Sequence, residues 1–175
     1  MAKEIECKLM GITPNKFINL AKEKGVKVSA PFLAKKVIDI YWELPNVKLL
    51  RHRTIIDGTF IFQDITVKSC ELNTDSNVSE REEIILNLKD NAEPSEFLDA
   101  IGAIEKHSIT KRRTFLDIND SSFDVYVHHD KVLGTKLQWI EVEADKEYKL
   151  MAFLDKLGIV DTSSKSTLEI LGLEK

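Results

Sequence analysis

The first ten residues, MAKEIECKLM, put Glu4, Glu6 and Lys8 on alternate positions with Ile5, Cys7 and Leu9 between them. Side chains of a β-strand alternate between its faces, so this segment carries one ionised row and one apolar row. Such a row can solvate the outside of a sheet. It can also line a polar interior in which carboxylates hold a divalent cation and the ammonium holds an anion. Which of the two applies depends on whether other strands repeat the pattern. Arg51 and Arg53 share a face in VKLLRHRT, with Leu50 and His52 on the other, and Thr66 and Lys68 share one in DITVKS. Arg81 and Glu83 lie two apart in SEREEI, as do Lys111 and Arg113 in ITKRRTF. In KLQWIEVEA, Glu141 and Glu143 flank Val142 and mirror Glu4 and Glu6 at the other end of the chain.

Repetition at this scale points to a closed antiparallel barrel whose interior is the charged face, with amphipathic helices packed on the apolar outside. Unpaired ions are heavily penalised away from water, so the interior needs a ligand. Glu4, Glu6, Glu141 and Glu143 are hard oxygen donors of the kind that bind Mg²⁺ or Mn²⁺. Lys8, Arg51, Arg53, Lys68, Arg113 and Lys165 supply planar forks and point charges suited to a chain of phosphates. A metal ion with a triphosphate satisfies both sets.

The elements that must position these residues follow from periodicity. TPNKFINLAKEKG reads as a helix capped by Thr13, with Pro14 at its first position, a Phe17, Leu20 and Ala21 stripe, and Gly25 at its end. VIDIYWEL and VKLLRHRTII are strands separated by Pro45 and Asn46; Asp57-Gly58 signals a hairpin that returns through TFIFQDITVKS. After a polar loop, ELNTDSNV, come the strand SEREEIILNL and the helix PSEFLDAIGAI. HSITKRRTFLDI and SSFDVYVHH flank a turn at Asn119 to Ser121, KLQWIEVEA is a further strand, DKEYKLMAFLDKLG a helix with Leu150, Phe153, Leu154 and Leu157 on one stripe, and SKSTLEIL a short last helix. Residues 1–175 read as one domain, without repeat, low-complexity tract or linker.

Composition agrees: 175 residues, 43% hydrophobic and 31% charged, suffice for a substantial core. With 25 basic against 29 acidic residues, a general grip on nucleic acid or on an anionic membrane is not expected. No apolar run reaches the roughly 20 residues of a membrane span, and no apolar signal segment follows the first lysine, so a cytoplasmic protein is expected. Cys7 and Cys70 form neither a disulfide framework nor a zinc spacing, although a bridge between the two stays open.

Taken together, Glu4-x-Glu6-x-Lys8, the Arg51 and Arg53 pair after Asp39 and Tyr41, Lys68, Arg81-Glu82-Glu83, the Lys111 and Arg113 pair, and Glu141-Val142-Glu143 resemble the CYTH family, the triphosphate tunnel metalloenzymes that include class IV adenylyl cyclases and thiamine triphosphatases. The resemblance spans the whole chain. It implies an α+β, mainly antiparallel fold with a closed eight-stranded tunnel, dependence on Mg²⁺ or Mn²⁺, and chemistry on nucleoside triphosphates, thiamine triphosphate or inorganic tripolyphosphate. Carried over position by position, it implies catalytic roles for Glu4, Glu6 and Lys8, and triphosphate contacts from Lys8, Arg51, Arg53, Lys68, Arg81, Lys111, Arg113 and Lys165. It implies metal ligation by Glu4, Glu6, Glu83, Glu141 and Glu143. The partner would be a small triphosphate, with neither nucleic acid nor membrane, and the chain a monomer or homodimer.

Two departures stand out. FDVYVHHDKVLGT has His128 near the family's aspartate, Asp130 two residues later and Val132 at the first glycine of a Gly-Leu-Gly segment, so either His128 or Asp130 takes the aspartate's place. Lys165-Ser166 is followed by Thr167 where the family has tyrosine. The His128-His129-Asp130 cluster could be a further metal site, but one strand can offer only one of its histidines to an interior. His52, His107, Trp42, Tyr126 and Trp139 read as surface or packing residues, the three aromatics with stacking on a base or thiamine ring as the alternative. Three functions compete: hydrolysis of the terminal phosphate, cyclisation of ATP to cyclic AMP and pyrophosphate, and polyphosphate binding without chemistry. The paired carboxylates speak against the last, and hydrolysis is preferred. Removing Lys8 is expected to leave ligand-free stability unchanged or improved.

Overall fold

The structure, a computed structural model, describes residues 2–29, 34–68, 78–89, 92–120 and 122–173. The elements run β1 (Ala2–Met10), α1 (Pro14–Glu23), β2 (Lys35–Leu44), β3 (Val47–Asp57), β4 (Phe60–Lys68), β5 (Ser79–Leu88), α2 (Pro94–Ala100), β6 (Ile104–Leu116), β7 (Tyr126–Val132), β8 (Gln138–Ala144), α3 (Glu147–Leu157) and α4 (Thr167–Ile170). The strands form one curled antiparallel sheet in the order β1-β5-β4-β3-β2-β6-β7-β8, and β1 also pairs with β8, so the strand order returns to its start.

The expected sealed tunnel is nevertheless not what the wall provides. β5 uses Ser79 to Glu83 for its pairing with β1 and Glu83 to Leu88 for its pairing with β4, so this side is joined by two staggered half-ladders. Consecutive residues Ile84 and Ile85 are 54% and 52% exposed, which means solvent reaches both faces of β5. The architecture is therefore a curled eight-stranded sheet that opens along β5.

Local chemistry accounts for the elements. The Thr13 side chain accepts a hydrogen bond from the Lys16 backbone N–H (3.4 Å) and Pro14 opens α1, as the sequence suggests. The buried stripe of α1 is Phe17, Ile18 and Ala21, with Leu20 only partly covered. In α3 the expected Leu150, Phe153, Leu154 and Leu157 are all buried, and Gly158 ends the helix in the left-handed region at φ 69°. Asn46 turns β2 into β3 at φ 66°. In the next hairpin Asp57 pairs with Phe60, so its two loop residues are Gly58 and Thr59. β7 starts at Tyr126, later than expected, because Asp120 accepts the Ser122 N–H (3.0 Å) and holds the preceding segment in a turn.

Three apolar layers pack on the sheet, two outside it and one within. Ile5, Cys7 and Leu9 of β1 and Ile140 and Val142 of β8 face α1 and α3. Burial pushes the Cys7 thiol up to about 12, and Cys70 lies outside the described residues. Trp42, Leu50 and Ile65 pack with Leu98 of α2. The third layer fills one end of the interior: Tyr41, Ile109, Val132 and Trp139 meet Leu168, Ile170 and Leu171 in and beside α4, forming an apolar floor. Among the described residues no helix is long and apolar enough to cross a membrane.

The outer layer between α1 and α3 carries much of the stability. Phe153 is fully buried, with its ring 6.4 Å from Phe17 and 5.3 Å from Phe123. Phe153→Ala is expected to cost about 3–5 kcal/mol through lost transfer energy and a residual cavity. Urea unfolding followed by circular dichroism checks this.

Candidate active site

Antiparallel pairing puts directly opposed residues on the same face. Lys8 lies opposite Glu141 and Glu6 opposite Glu143; His128 is opposite Glu141 on its other side. Arg113 lies opposite Asp130, Arg53 opposite Asp39, and Lys68 opposite Glu83. One continuous interior face thus collects the charged rows, and a cavity there is lined by Glu6, Lys8, Arg51, Arg53, Lys68, Lys111, Arg113, Glu141 and Glu143, with Tyr41, Leu49 and the Ser166 to Leu168 segment at its apolar end.

Two ion-pair clusters organise the wall. In the first, Lys8 Nζ donates to Glu6 Oε1 (2.8 Å) and lies 3.0 Å from Glu141 Oε2, which also accepts the Trp139 Nε1–H (3.2 Å). Burial alone would lower the Lys8 ammonium, but the Glu141 and Glu6 carboxylates outweigh it and hold Lys8 above the ordinary lysine range. Burial would raise Glu141; Lys8 and His128 hold it well below the usual carboxylate range instead. In the second, Arg53 forks onto Asp39 (2.6 and 3.0 Å) and Arg113 onto Asp130 (2.8 and 2.8 Å), while Lys111 Nζ bridges the two carboxylates at 2.9 Å each. Asp39 and Asp130 are both fully buried, and against that burial Arg53 and Arg113 respectively lead in holding their acids ionised. Lys68 pairs with Glu83 across β4 and β5.

Arg51 differs from its neighbours. Its Nη2 donates to Thr66 Oγ1 (3.0 Å), its Nε has no hydrogen-bond partner, and among the described residues no carboxylate lies in ion-pair range of it. The guanidinium therefore reaches the cavity with donors to spare.

The interior thus brings together Glu6, Lys8, Arg51, Arg53, Lys68, Glu83, Lys111, Arg113, Glu141 and Glu143. It does not bring Lys165, whose side chain is exposed beside α4. The side chains of Glu4 and Arg81 lie outside the described residues, although their backbones pair across β1 and β5. Glu83 is paired with Lys68, and the candidate metal-holding group among the described residues is His128, Glu141 and Glu143. Lys8 is not a repelled cation but the partner of two acids, so its removal strands charge and the expected gain in stability gives way to a loss.

The sequence named Asp39 without giving it a role, and offered His128 and Asp130 as alternatives for the family aspartate or as part of a further metal site; all three face the interior. The signal was present for the last two, since they sit two apart in a strand, as Glu141 and Glu143 do. His128 Nε2 is 3.1 Å from Glu141 Oε1 and Nδ1 is 3.6 Å from Glu143 Oε1, and donor atoms of these three residues lie within 4.8 Å of one another. The His128 Nε2 is buried without a hydrogen-bond partner of good geometry. This donor set of one imidazole and two carboxylates fits a divalent cation. Trp139 and Trp42 are packing residues of the floor and of the α2 layer, and Tyr126 is 72% exposed at the start of β7.

The clusters give acid stability a definite sign. Burial, then the Arg113 charge, lowers the His128 pKa, so the unfolded chain takes up this proton first and stability declines as pH falls below about 6.5. Asp130 and Glu141, depressed in the folded state, contribute fully above the unfolded carboxylate values near about 4–4.5 and are lost as pH falls through their lower folded values. Thermal melts of ligand-free protein should show a shallow fall below about pH 6.5 and a steep one below about pH 4.5. His128→Gln should shrink only the first, leaving the part due to His129, which burial also lowers.

No protein-family model matches the sequence, and no curated protein matches it. Solved structures do match in fold. The PH1819 protein of Pyrococcus horikoshii is 22% identical, with a TM-score of 0.73 over 96% of this chain and 97% of its own. A protein of Vibrio parahaemolyticus described as a candidate adenylate cyclase is 17% identical, with a TM-score of 0.71 over 98% of each chain. HpAC1 of Hippeastrum, described as a candidate adenylyl cyclase with a dominant triphosphatase activity, is 15% identical, with a TM-score of 0.61 over 97% of this chain and 94% of its own.

Proposed function

We propose that the chain is a divalent-metal-dependent hydrolase of a small linear triphosphate, of the CYTH or triphosphate tunnel class that its sequence resembles. The observation that carries the reading is Arg51. A guanidinium on the inner wall of a cavity, with unused donors and no carboxylate partner among the described residues, is built for an anion that arrives from outside. The charge-rich cavity around it suits an anion with several phosphates, and the fold likeness to a protein described as having triphosphatase activity supports the same reading.

Glu141 and Glu143 would hold the ion, with Glu6 beside them, and a bound Mg²⁺ or Mn²⁺ would supply charge neutralisation and an activated water. The rest falls to the chain's own side chains. Phosphoryl transfer asks mainly for alignment and for positive charge around the transferring group. Arg51 offers the fork and Lys8 a point charge, and Arg53 and Arg113 are held at fixed angles by their bidentate carboxylates, so they need little reorganisation when substrate arrives. The apolar floor under Tyr41, Trp139 and Leu168 excludes water from the far end and limits how deep the phosphate chain can enter.

Cyclisation of ATP is the second reading, favoured by fold neighbours described as candidate adenylate cyclases. Hydrolysis is preferred because both tryptophans are committed to packing and are not offered to a base. ³¹P NMR of products from tripolyphosphate, ATP, GTP and thiamine triphosphate separates the readings. Orthophosphate supports hydrolysis, pyrophosphate with cyclic AMP supports cyclisation, and intact substrate in every sample refutes both.

A further inference from the structure

We infer that His128 is itself a ligand of the divalent ion, so that the site takes a borderline transition ion such as Mn²⁺ in preference to Mg²⁺. This rests on the metal-dependent function proposed for the chain and sharpens it by naming the donor that sets ion choice.

The surroundings of the imidazole favour a cation. The His128 ring is 2% exposed and sits between two acids, with Nε2 3.1 Å from Glu141 Oε1 and Nδ1 3.6 Å from Glu143 Oε1. A neutral imidazole carries one N–H and one lone pair, and an ionised carboxylate only accepts. One ring nitrogen therefore turns a lone pair toward a carboxylate lone pair, an arrangement that a cation between them resolves. A doubly protonated ring donating to both acids would instead have to sit near the Arg113 guanidinium, which already lies 3.9 Å from Glu141 Oε1. Glu141 is suited to divided duty: Oε2 takes Lys8 and Trp139, which leaves Oε1 turned toward His128. The Phe115 ring, 6.1 Å from that of His128, packs beside it and restricts its plane.

A donor set containing imidazole discriminates among ions. Mg²⁺ prefers oxygen donors, retains its waters and gains little from a nitrogen ligand, whereas first-row transition ions bind imidazole readily. The three side chains come from neighbouring strands β7 and β8, a rigid platform for a fixed set of ligands.

The test is pulsed electron paramagnetic resonance of Mn²⁺ bound to the full chain, with Mn²⁺ and Mg²⁺ affinities measured calorimetrically on wild type and His128→Gln, all without substrate. The expected result is nitrogen hyperfine coupling to Mn²⁺ in wild type and its loss in the variant. Mn²⁺ affinity should fall at least tenfold while Mg²⁺ affinity stays within twofold. Bound Mn²⁺ without nitrogen coupling in wild type would overturn the inference, whether or not the variant folds, and would leave the metal-dependent reading standing. Failure of wild type to bind Mn²⁺ would overturn both. Equal Mn²⁺ affinity of wild type and variant would also count against it.

Discussion

Lys8→Met should abolish most activity and destabilise the ligand-free protein at the same time. The side chain is fully buried between Glu6 (2.8 Å) and Glu141 (3.0 Å), so methionine keeps most of the stem but leaves two buried carboxylates without their cation. Breaking one side of a buried pair costs about 3–5 kcal/mol, a far larger effect than relief of repulsion in a cationic interior could return. On the proposed hydrolytic function, activity should fall at least tenfold in kcat/KM, the equivalent of about 1.4 kcal/mol, because a cation of the cavity wall has gone. Saturating Mn²⁺ should recover part of the lost stability, since the ion replaces the missing positive charge at Glu141. Thermal melts with and without Mn²⁺, alongside steady-state kinetics, check both halves. A variant of wild-type stability and efficiency would show that Lys8 takes no part in the interior network.

Arg51→Ala and Arg53→Ala should separate binding from folding. Arg51 has no carboxylate partner among the described residues, so its loss should leave the melting temperature nearly unchanged. A charged hydrogen bond is worth about 1.5–3 kcal/mol, so its removal should lower kcat/KM for tripolyphosphate roughly 10- to 150-fold. Arg53→Ala instead strands Asp39, which is fully buried and held by the Arg53 fork and Lys111, so several kcal/mol of stability, about 3–5, should go with the activity. Arg113→Ala should behave like Arg53→Ala through Asp130. Equal melting temperatures for Arg51→Ala and Arg53→Ala would contradict this division of labour.

The rows of charge were legible because strand alternation is a local property. Glu6 and Lys8, Arg51 and Arg53, Lys111 and Arg113, and Glu141 and Glu143 each declare a shared face within a few residues, and the structure turns all of them inward. Their partners were not legible, since Asp39 lies 14 residues from Arg53 and Asp130 lies 17 from Arg113. Only strand register, a product of the whole sheet, brings such pairs together. For the same reason two basic pairs that read as free phosphate clamps are in part structural. Alternation offers only one of the two adjacent histidines to the interior and does not say which acids it will meet there; His129 meets Gln138 at 3.1 Å while His128 meets Glu141. The floor was hidden too. SKSTLEIL signals a helix, and its Ser166 and Glu169 do form a capping box, but nothing local says that Leu168 and Ile170 will close one end of the interior. The opening along β5 likewise depends on how two ladders stagger on one strand, which no periodicity records.

On the proposed function, this interior hydrolyses a triphosphate only when a divalent ion joins its carboxylates. Orthophosphate release from tripolyphosphate, ATP, GTP and thiamine triphosphate, followed colorimetrically in Mn²⁺ and again in excess chelator, is the decisive assay. Release from at least one of the four is expected in Mn²⁺, with its loss to background in chelator. Release that persists undiminished in chelator, or no release from any of the four in Mn²⁺ or Mg²⁺, would contradict it.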